Sequence, residues 1–330
     1  MVEVQERIDL LGKLGEYILS DTEEWMHAKE LAAARNPWFN AESIDMATKG
    51  IALQFLQKPL LTEWINKYPQ PQNIKKVGLI MAGNIPLVGF HDFLCGFVSR
   101  HILYIKLSSK DDLLLKHLAG KITEWQPSLT DEIIFADNIK GCDAYIATGS
   151  NNTARYFEQY FGKYPNIIRK NRTSVAILRG NETAEEISLL GKDIFSYYGL
   201  GCRNVTKVYL PEGYDIQILL NGLSDYKEII HQNKYKNNYD YFLAIYLLNR
   251  VPYLTNDFLL MIENPVPFSA VSVLHYEFYT DEALLKQSLQ SDDNIQCIVD
   301  NVHVAYGQSQ FPRLEDYADS VDTMMFMSSL

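Results

Sequence analysis

The sequence predicts an α/β chain on a doubly wound plan, with a helical N-terminal segment followed by two α/β domains. Three observations carry this expectation. Helical periodicity fills roughly the first 65 residues. Short apolar runs then alternate with helical patterns from Lys76 onward. A second alternation of the same kind begins at Ser174.

Ile8, Leu11, Leu14 and Ile18 recur at helical spacing, as do Ile44, Ala47, Ile51 and Phe55, the pattern of helices with one apolar face. A polar, proline-bearing stretch from Lys67 to Asn73 ends this region. Lys76–Ala82 (KVGLIMA) reads as a buried strand, Pro86–Arg100 as a helix and Ile102–Leu107 as a strand. Asp111–Thr123 reads as a helix, and Asp143–Thr148 as a strand opening onto a helix from Asn151. Such alternation predicts a parallel sheet with right-handed crossovers, whose ligands sit at the carboxyl ends of the strands. In the second block, Ser174–Leu178 is a strand, Thr183–Tyr197 a helix and Val205–Leu210 a strand. Helices rich in Tyr and Leu run to Arg250, with strands at Phe258–Ile262 and Ala270–Tyr276. The tail from Asn301 is less periodic and ends Met-rich. The expected boundaries are 1–70 for the helical segment, 71–168 and 169–300 for the two α/β domains, and 301–330 for a tail packing back on the body.

With 47% hydrophobic residues in 330, the chain has enough apolar surface for a large core. A formal charge of −11 argues against sequence-independent nucleic-acid binding, which relies on Lys and Arg neutralising phosphates. It argues equally against a polybasic membrane anchor. No run approaches the ~18 apolar residues of a membrane span, and the charged first residues lack a signal-peptide core. The four cysteines form no CxxC pair, so reduced thiols in a cytoplasmic protein are expected. The N-x-T sequons at Asn151, Asn171, Asn181 and Asn204 are then chance occurrences. The seven histidines form no HxxxH or HExxH pattern and no zinc spacing with cysteine, so no metal site is expected. His91 lies on a core-facing helical stripe.

Cys202, in Tyr197-Tyr198-Gly199-Leu200-Gly201-Cys202-Arg203-Asn204, sits between a helix ending at glycines and a strand. Backbone N–H groups at such a turn lower a thiol pKa and stabilise an oxyanion; a buried, inert cysteine is the plainer alternative. The absence of a third glycine, where Asn204 stands, rules out a dinucleotide fingerprint at Gly199-Leu200-Gly201. Asn84, in Met81-Ala82-Gly83-Asn84-Ile85-Pro86, follows a strand and precedes a helix. Its amide could donate to an oxyanion, or its side chain could cap a helix with Pro86 in the first turn. Ala147-Thr148-Gly149-Ser150-Asn151 repeats the strand–turn–helix arrangement, which suits either phosphate binding at a helix N-terminus or a simple cap. Lys106 closes an apolar strand, as a ribose or phosphate contact or as a solvated strand end. The tyrosines between Tyr226 and Tyr253 fit a substrate cavity or ordinary packing.

The order of these features resembles the aldehyde dehydrogenase superfamily. More closely, it resembles the fatty acyl-CoA reductases of the LuxC type found in bacterial luminescence systems. The resemblance rests on Gly83-Asn84-Ile85-Pro86, Ala147-Thr148-Gly149-Ser150, Arg169–Ala176 (RKNRTSVA), Gly201-Cys202-Arg203-Asn204-Val205 and Asp316–Thr323 (DYADSVDT), over residues 70 to 325. It implies an aldehyde dehydrogenase-like fold in which 71–168 binds the nicotinamide cofactor and 169–300 carries the catalytic cysteine. Cys202 matches the nucleophile, Asn84 the oxyanion amide, Lys106 the cofactor ribose contact, and Gly149 and Ser150 the turn beside the pyrophosphate. An acidic residue about three positions after the lysine marks NAD-preferring relatives; Ser109 stands there, with Lys110 beside it, so NADPH is the expected cofactor and NADH the alternative.

Two departures stand out. The Glu-Leu-Gly-Gly carboxylate of hydrolytic relatives is replaced by Arg169-Lys170-Asn171-Arg172. Phe268-Ser269-Ala270-Val271 resembles the end of a Glu-x-Phe-Gly-Pro-Val stretch, which puts Val266 at the Glu position with Glu263 nearby. The expected activity is NAD(P)H-dependent reduction of a fatty acyl-CoA to the aldehyde through an acyl-thioester on Cys202, with acyl-CoA as substrate and either a second copy of the chain or an acyl-transfer enzyme as partner. The rivals are a cysteine acyltransferase or thioesterase without nicotinamide, and a non-catalytic acyl-CoA-binding subunit.

Overall fold

The computed structural model describes residues 2–330. They form two compact units: one runs to Asn171 and takes in Pro312–Leu330, and the other is Arg172–Phe311.

The first unit opens with four helices, α1 (Val4–Ile18), α2 (Glu23–Arg35), α3 (Ala41–Gln54) and α4 (Lys58–Ile65). Ile8, Leu11, Leu14 and Ile18 of α1 are all buried, the stripe their spacing predicts. Asn40 starts α3 by accepting the Ser43 N–H at 2.8 Å. The chain then lays down β1 (Lys76–Ile80), α5 (Phe90–Val98), β2 (Ile102–Lys106), α6 (Leu114–Trp125), β3 (Ile133–Phe135), β4 (Ala144–Thr148), α7 (Asn151–Phe161) and β5 (Asn166–Arg169). The strands form a sheet ordered β3-β2-β1-β4-β5, parallel throughout. The chain runs outward from β1 in both directions, so the doubly wound plan is present and its switch point lies between β1 and β4. Val77, Gly78 and Leu79 at the sheet centre are all buried, as a strand covered on both faces requires.

Residues 1–70 and 71–168, set apart in the sequence reading, share one core. Leu11 and Leu14 cluster with Val77, Leu79, Phe93 and Phe97. Arg7, fully buried on α1, donates to the Phe97 carbonyl at 2.9 Å and pairs with Glu132. Burial lowers its pKa, against the pull of Glu132.

The second unit runs β6 (Thr173–Ile177), α8 (Ala184–Phe195), β7 (Val205–Pro211), α9 (Ile216–Gly222), α10 (Asn233–Asn249), β8 (Leu254–Thr255), β9 (Leu260–Glu263), β10 (Val273–Tyr279), α11 (Glu282–Gln290) and β11 (Ile295–Val299). Its six strands are ordered β11-β6-β7-β10-β9-β8, with only β8–β9 antiparallel. On α10, Tyr235 and Tyr239 are buried. Their hydroxyls meet the Phe258 carbonyl at 3.0 Å and Thr255 Oγ1 at 2.8 Å, so both serve packing.

The chain then returns to the first unit, ending in α12 (Thr323–Ser329). His101 donates through Nε2 to the Met327 carbonyl at 2.9 Å while its Nδ1 accepts the Lys75 N–H. Arg169, buried at the end of β5, pairs with Asp92 of α5 and donates to Thr323 Oγ1 at 2.8 Å. His91 is structural: Nε2 donates to the Leu314 carbonyl at 2.9 Å. No helix among the described residues is long and apolar enough to cross a membrane.

The helix expected over Pro86–Arg100 begins only at Phe90, with Gly89 as its N-cap. Asn84 is therefore not its cap. Leu87 explains the delay: its φ of 56° is left-handed, which breaks any helix through that position.

Candidate active site

At the carboxyl end of the first sheet, three loops carry the residues singled out above. Asn84 follows β1 and is exposed, within a turn that spans the nine residues before α5. Gly83 fits there because it lacks a side chain: a Cβ would lie 2.7 Å from Ser108 Cβ. Leu87 donates its N–H to Asp111 Oδ2 at 2.6 Å. Burial, with the Asp112 carboxylate nearby, raises the Asp111 carboxyl to about 7, although the Leu87 N–H works against the shift.

Lys106 ends β2 with its side chain exposed, and Ser109 is exposed three residues on. Asn36 anchors this second loop by donating to the Lys110 carbonyl at 3.1 Å. Gly149 and Ser150 follow β4, where Ser150 caps α7 by accepting the Thr153 N–H at 3.3 Å. The cap reading of Ser150 thus holds, and its backbone still opens a helix N-terminus at the sheet's carboxyl edge. Asn84, Lys106, Ser109 and Ser150 therefore share one exposed edge, at the ends of β1, β2 and β4, the central three strands of the sheet.

In the second unit, Thr183 and Glu186 start α8 with a capping box. After Phe195 the chain breaks through a short 3-10 turn, Ser196–Gly199. Tyr197 (φ 50°), Tyr198 (φ 58°) and Gly199 (φ 77°) all adopt left-handed backbone. For the two tyrosines this costs about 1–2 kcal/mol each, so something must over-determine the turn.

That residue is Asn204. Fully buried, it accepts the Gly201 N–H at 2.7 Å. Its Nδ2 lies 3.0, 3.3 and 2.8 Å from the carbonyls of Asp193, Ile194 and Ser196. Its own N–H donates to the Gly201 carbonyl at 3.0 Å, closing a four-residue turn with Cys202 and Arg203 at the centre.

Cys202 is half-buried on that turn. Ser174 Oγ donates to its carbonyl at 3.0 Å and lies 3.0 Å from Cys297 Sγ. Burial pushes the Cys297 thiol up, although Arg203 opposes the shift. Arg203 reaches the Ser309 carbonyl at 3.4 Å, in a segment whose Gly307 and Ser309 N–H groups bind the buried Asp193 carboxylate. Burial raises the other two thiols as well, Cys95 well above the ordinary range.

No protein-family model and no curated protein matches the sequence. Solved structures do. A Mycobacterium tuberculosis aldehyde dehydrogenase complexed with NAD+ superposes with a TM-score of 0.64 at 14% identity, covering 86% of this chain and 70% of that one. An acetylating aldehyde dehydrogenase from Geobacillus thermoglucosidasius gives 0.62 at 12% identity, covering 94% and 83%. An NADP-dependent glyceraldehyde-3-phosphate dehydrogenase from Bacillus halodurans, complexed with NADP, gives 0.64 at 11%, covering 92% and 80%.

The chain has the aldehyde dehydrogenase fold.

At such identities the likeness is one of architecture, and the site must be argued from the residues. Within the aldehyde dehydrogenase fold, Asp111, Ser174 and Asn204 are the residues that the sequence reading did not assign a part. Asn204 left one local signal, an amide three residues after Gly201, the spacing that closes a turn. Asp111 left none, because its acceptor role depends on a backbone group 24 positions away.

Proposed function

We propose that the chain reduces a fatty acyl-CoA to its aldehyde with a nicotinamide cofactor, as the LuxC-type acyl-CoA reductases do. The observation that carries this reading is the fate of the segment where hydrolytic relatives place a carboxylate. Arg169 is committed to Asp92, Lys170 pairs with Glu158 at 2.9 Å, and the Asn171 N–H is taken by Asn151 at 3.1 Å. Nothing in that segment activates water, which favours acceptors that need no base.

The Cys202 thiolate attacks the thioester carbonyl, and the carbon–sulfur bond to CoA breaks to leave an S-acyl cysteine. CoA departs as a thiolate of modest basicity, since thiols have pKa values near ~8.5, so no strong general acid is needed. By the resemblance, Asn84 and the Cys202 backbone N–H are the groups assigned to the oxyanion that forms in this step.

The carboxyl edge of the first sheet fits a nicotinamide dinucleotide in kind. It offers the exposed cation Lys106, the helix N-terminus at Ser150 and no carboxylate at Ser109. Lys106 and Ser109 would hold the ribose, and Gly149 and Ser150 the pyrophosphate. Bound there, a reduced nicotinamide would supply hydride to the S-acyl carbon, and breaking of the carbon–sulfur bond would release the aldehyde and return Cys202 as thiolate. The neutral Ser109 favours NADPH over NADH. A second copy of the chain or an acyl-transfer enzyme is the partner this reading expects.

The test is NADPH oxidation by the purified chain against a ladder of acyl-CoA lengths. Chain-length-dependent oxidation with aldehyde as product supports the proposal. Free fatty acid released without cofactor would instead identify a thioesterase. Binding of acyl-CoA with no labelling of Cys202 would identify a non-catalytic subunit.

A further inference from the structure

We propose that Asp111 is the positioning residue for Asn84: by accepting the Leu87 N–H it holds the 83–88 loop in the form that presents the Asn84 amide. This rests on the reading of Asn84 as oxyanion donor, and it adds a residue that neither sequence motif nor resemblance marks.

Leu87 adopts a left-handed φ of 56°, which non-glycine residues rarely take without an external hold. Its N–H lies 2.6 Å from Asp111 Oδ2. At the other end of the loop, a Cβ on Gly83 would lie 3.2 Å from Asp111 Cβ and 2.7 Å from Ser108 Cβ. The segments 83–87 and 108–111 therefore lie against each other on both sides of Asn84.

Asp111 is an expensive choice for a purely structural bond. It is only 8% exposed, and its Oδ1 has no hydrogen-bond partner among the described residues. An asparagine would accept the same N–H with no charge to desolvate. What the carboxylate adds is a stronger, charge-assisted bond once it is ionised, and burial places that ionisation at about 7. The facing loop, 83–89, has no titratable side chain. On its own loop Asp111 has Lys106, Lys110 and Asp112, and Asp112 pairs with Arg35 of α2 at 3.2 Å. Ionisation should accordingly strengthen the Leu87 N–H bond itself as pH rises through neutrality, even as the buried charge lowers the stability of the fold as a whole.

The test uses the full chain with Asp111→Asn, Asp111→Ala, Asn84→Ala and the Asp111→Asn/Asn84→Ala double variant. Acylation of Cys202 by octanoyl-CoA is followed by intact mass from pH 5.5 to 8.5. Alkylation by iodoacetamide, which forms no oxyanion, cancels the titration of Cys202 itself. Amide hydrogen exchange of the 83–89 peptide reads the loop without reference to activity. Above pH 7.5, Asp111→Asn should lower the acylation-to-alkylation ratio by about three- to tenfold, the worth of one lost charge assist. It should also flatten the rise of that ratio near pH 7, while the double variant acylates no more slowly than Asn84→Ala. In both single Asp111 variants the loop should exchange faster.

Unchanged loop exchange in both, or an Asp111→Asn profile that follows wild type, overturns the proposal. If Asn84→Ala acylates at the wild-type rate, the oxyanion reading itself fails and takes the coupling with it. The exchange result then still reports whether Asp111 holds the loop, so the two failures are told apart.

Discussion

Asn204 Oδ1 accepts the Gly201 N–H at 2.7 Å, and the same side chain gathers three carbonyls where α8 ends. One buried amide thus fixes both the end of the helix and the peptide that leads into Cys202. Asn204→Ala strands these groups, at about 1–3 kcal/mol for a buried unsatisfied group. Melting should fall by roughly 4–10 °C for a domain of this size, and the iodoacetamide rate constant of Cys202 should change. Asn204→Asp keeps the acceptor and loses both donors, so it should not restore the melt. An unaltered melt with unaltered alkylation would show that the turn holds without the amide.

Acyl-CoA without reduced cofactor should leave a stable thioester on Cys202, visible by intact mass. A positioned base accelerates such steps by about 10²–10⁴, so hydrolysis should trail reduction by a similar factor. NADPH should discharge the adduct to aldehyde, and added CoA should regenerate acyl-CoA. Cys202→Ala should form no adduct, whereas alanine at Cys95, Cys142 or Cys297 should still form one. The burial-raised pKa values of those three thiols lead to the same expectation. An adduct on another cysteine would sink the site assignment.

Asn84→Ala should slow acylation by about 10²–10³, the usual loss for one oxyanion donor. Because Gly89 and not Asn84 caps α5, helical content should stay within error of wild type. A normal acylation rate would remove Asn84 from the chemistry.

Ser109→Asp should move cofactor preference from NADPH toward NADH. A tenfold change needs only ~1.4 kcal/mol, within reach of one charge placed against a 2′-phosphate. The ratio of kcat/KM for the two cofactors in both proteins measures it. A wild-type chain that prefers NADH would contradict the reading of Ser109.

Asp111 also sets a pH dependence of stability. Its carboxyl is raised to about 7 in the fold against about 3.9 when exposed. A raised carboxyl contributes most at low pH, and the contribution declines from about pH 4 until it levels off above 7. Asp111→Asn carries no charge to desolvate, so its melting temperature should exceed wild type by a margin that grows between pH 5 and pH 7.5. With the slower acylation expected of the same variant, a more stable but less active protein is the outcome. Equal pH dependence in the two proteins would mean that Asp111 does not titrate in this range.

The central strands were legible because they are apolar runs bounded by turn residues, as in Lys76–Ile80 and Thr173–Ile177. The strands Ile133–Phe135, Asn166–Arg169 and Ile295–Val299 were not. Each lies at a sheet edge, and the first is only three residues long, while the other two mix Asn, Arg, Gln and Cys into the run. Asn84-Ile85-Pro86 reads as a cap before a proline-led helix, and only the left-handed Leu87 defeats that reading. Cys202 could be singled out from its glycine-flanked turn, but not the amide that holds it, since Asn204 acts on carbonyls up to eleven positions away.

The return of the chain to its first unit bears on the order of assembly during synthesis. Arg169 and His101 complete their hydrogen bonds on Thr323 and Met327, and these leave the ribosome after every residue of Arg172–Phe311. The unit begun second is continuous in sequence, so its core is complete in the chain before the last helix of the unit begun first has been made.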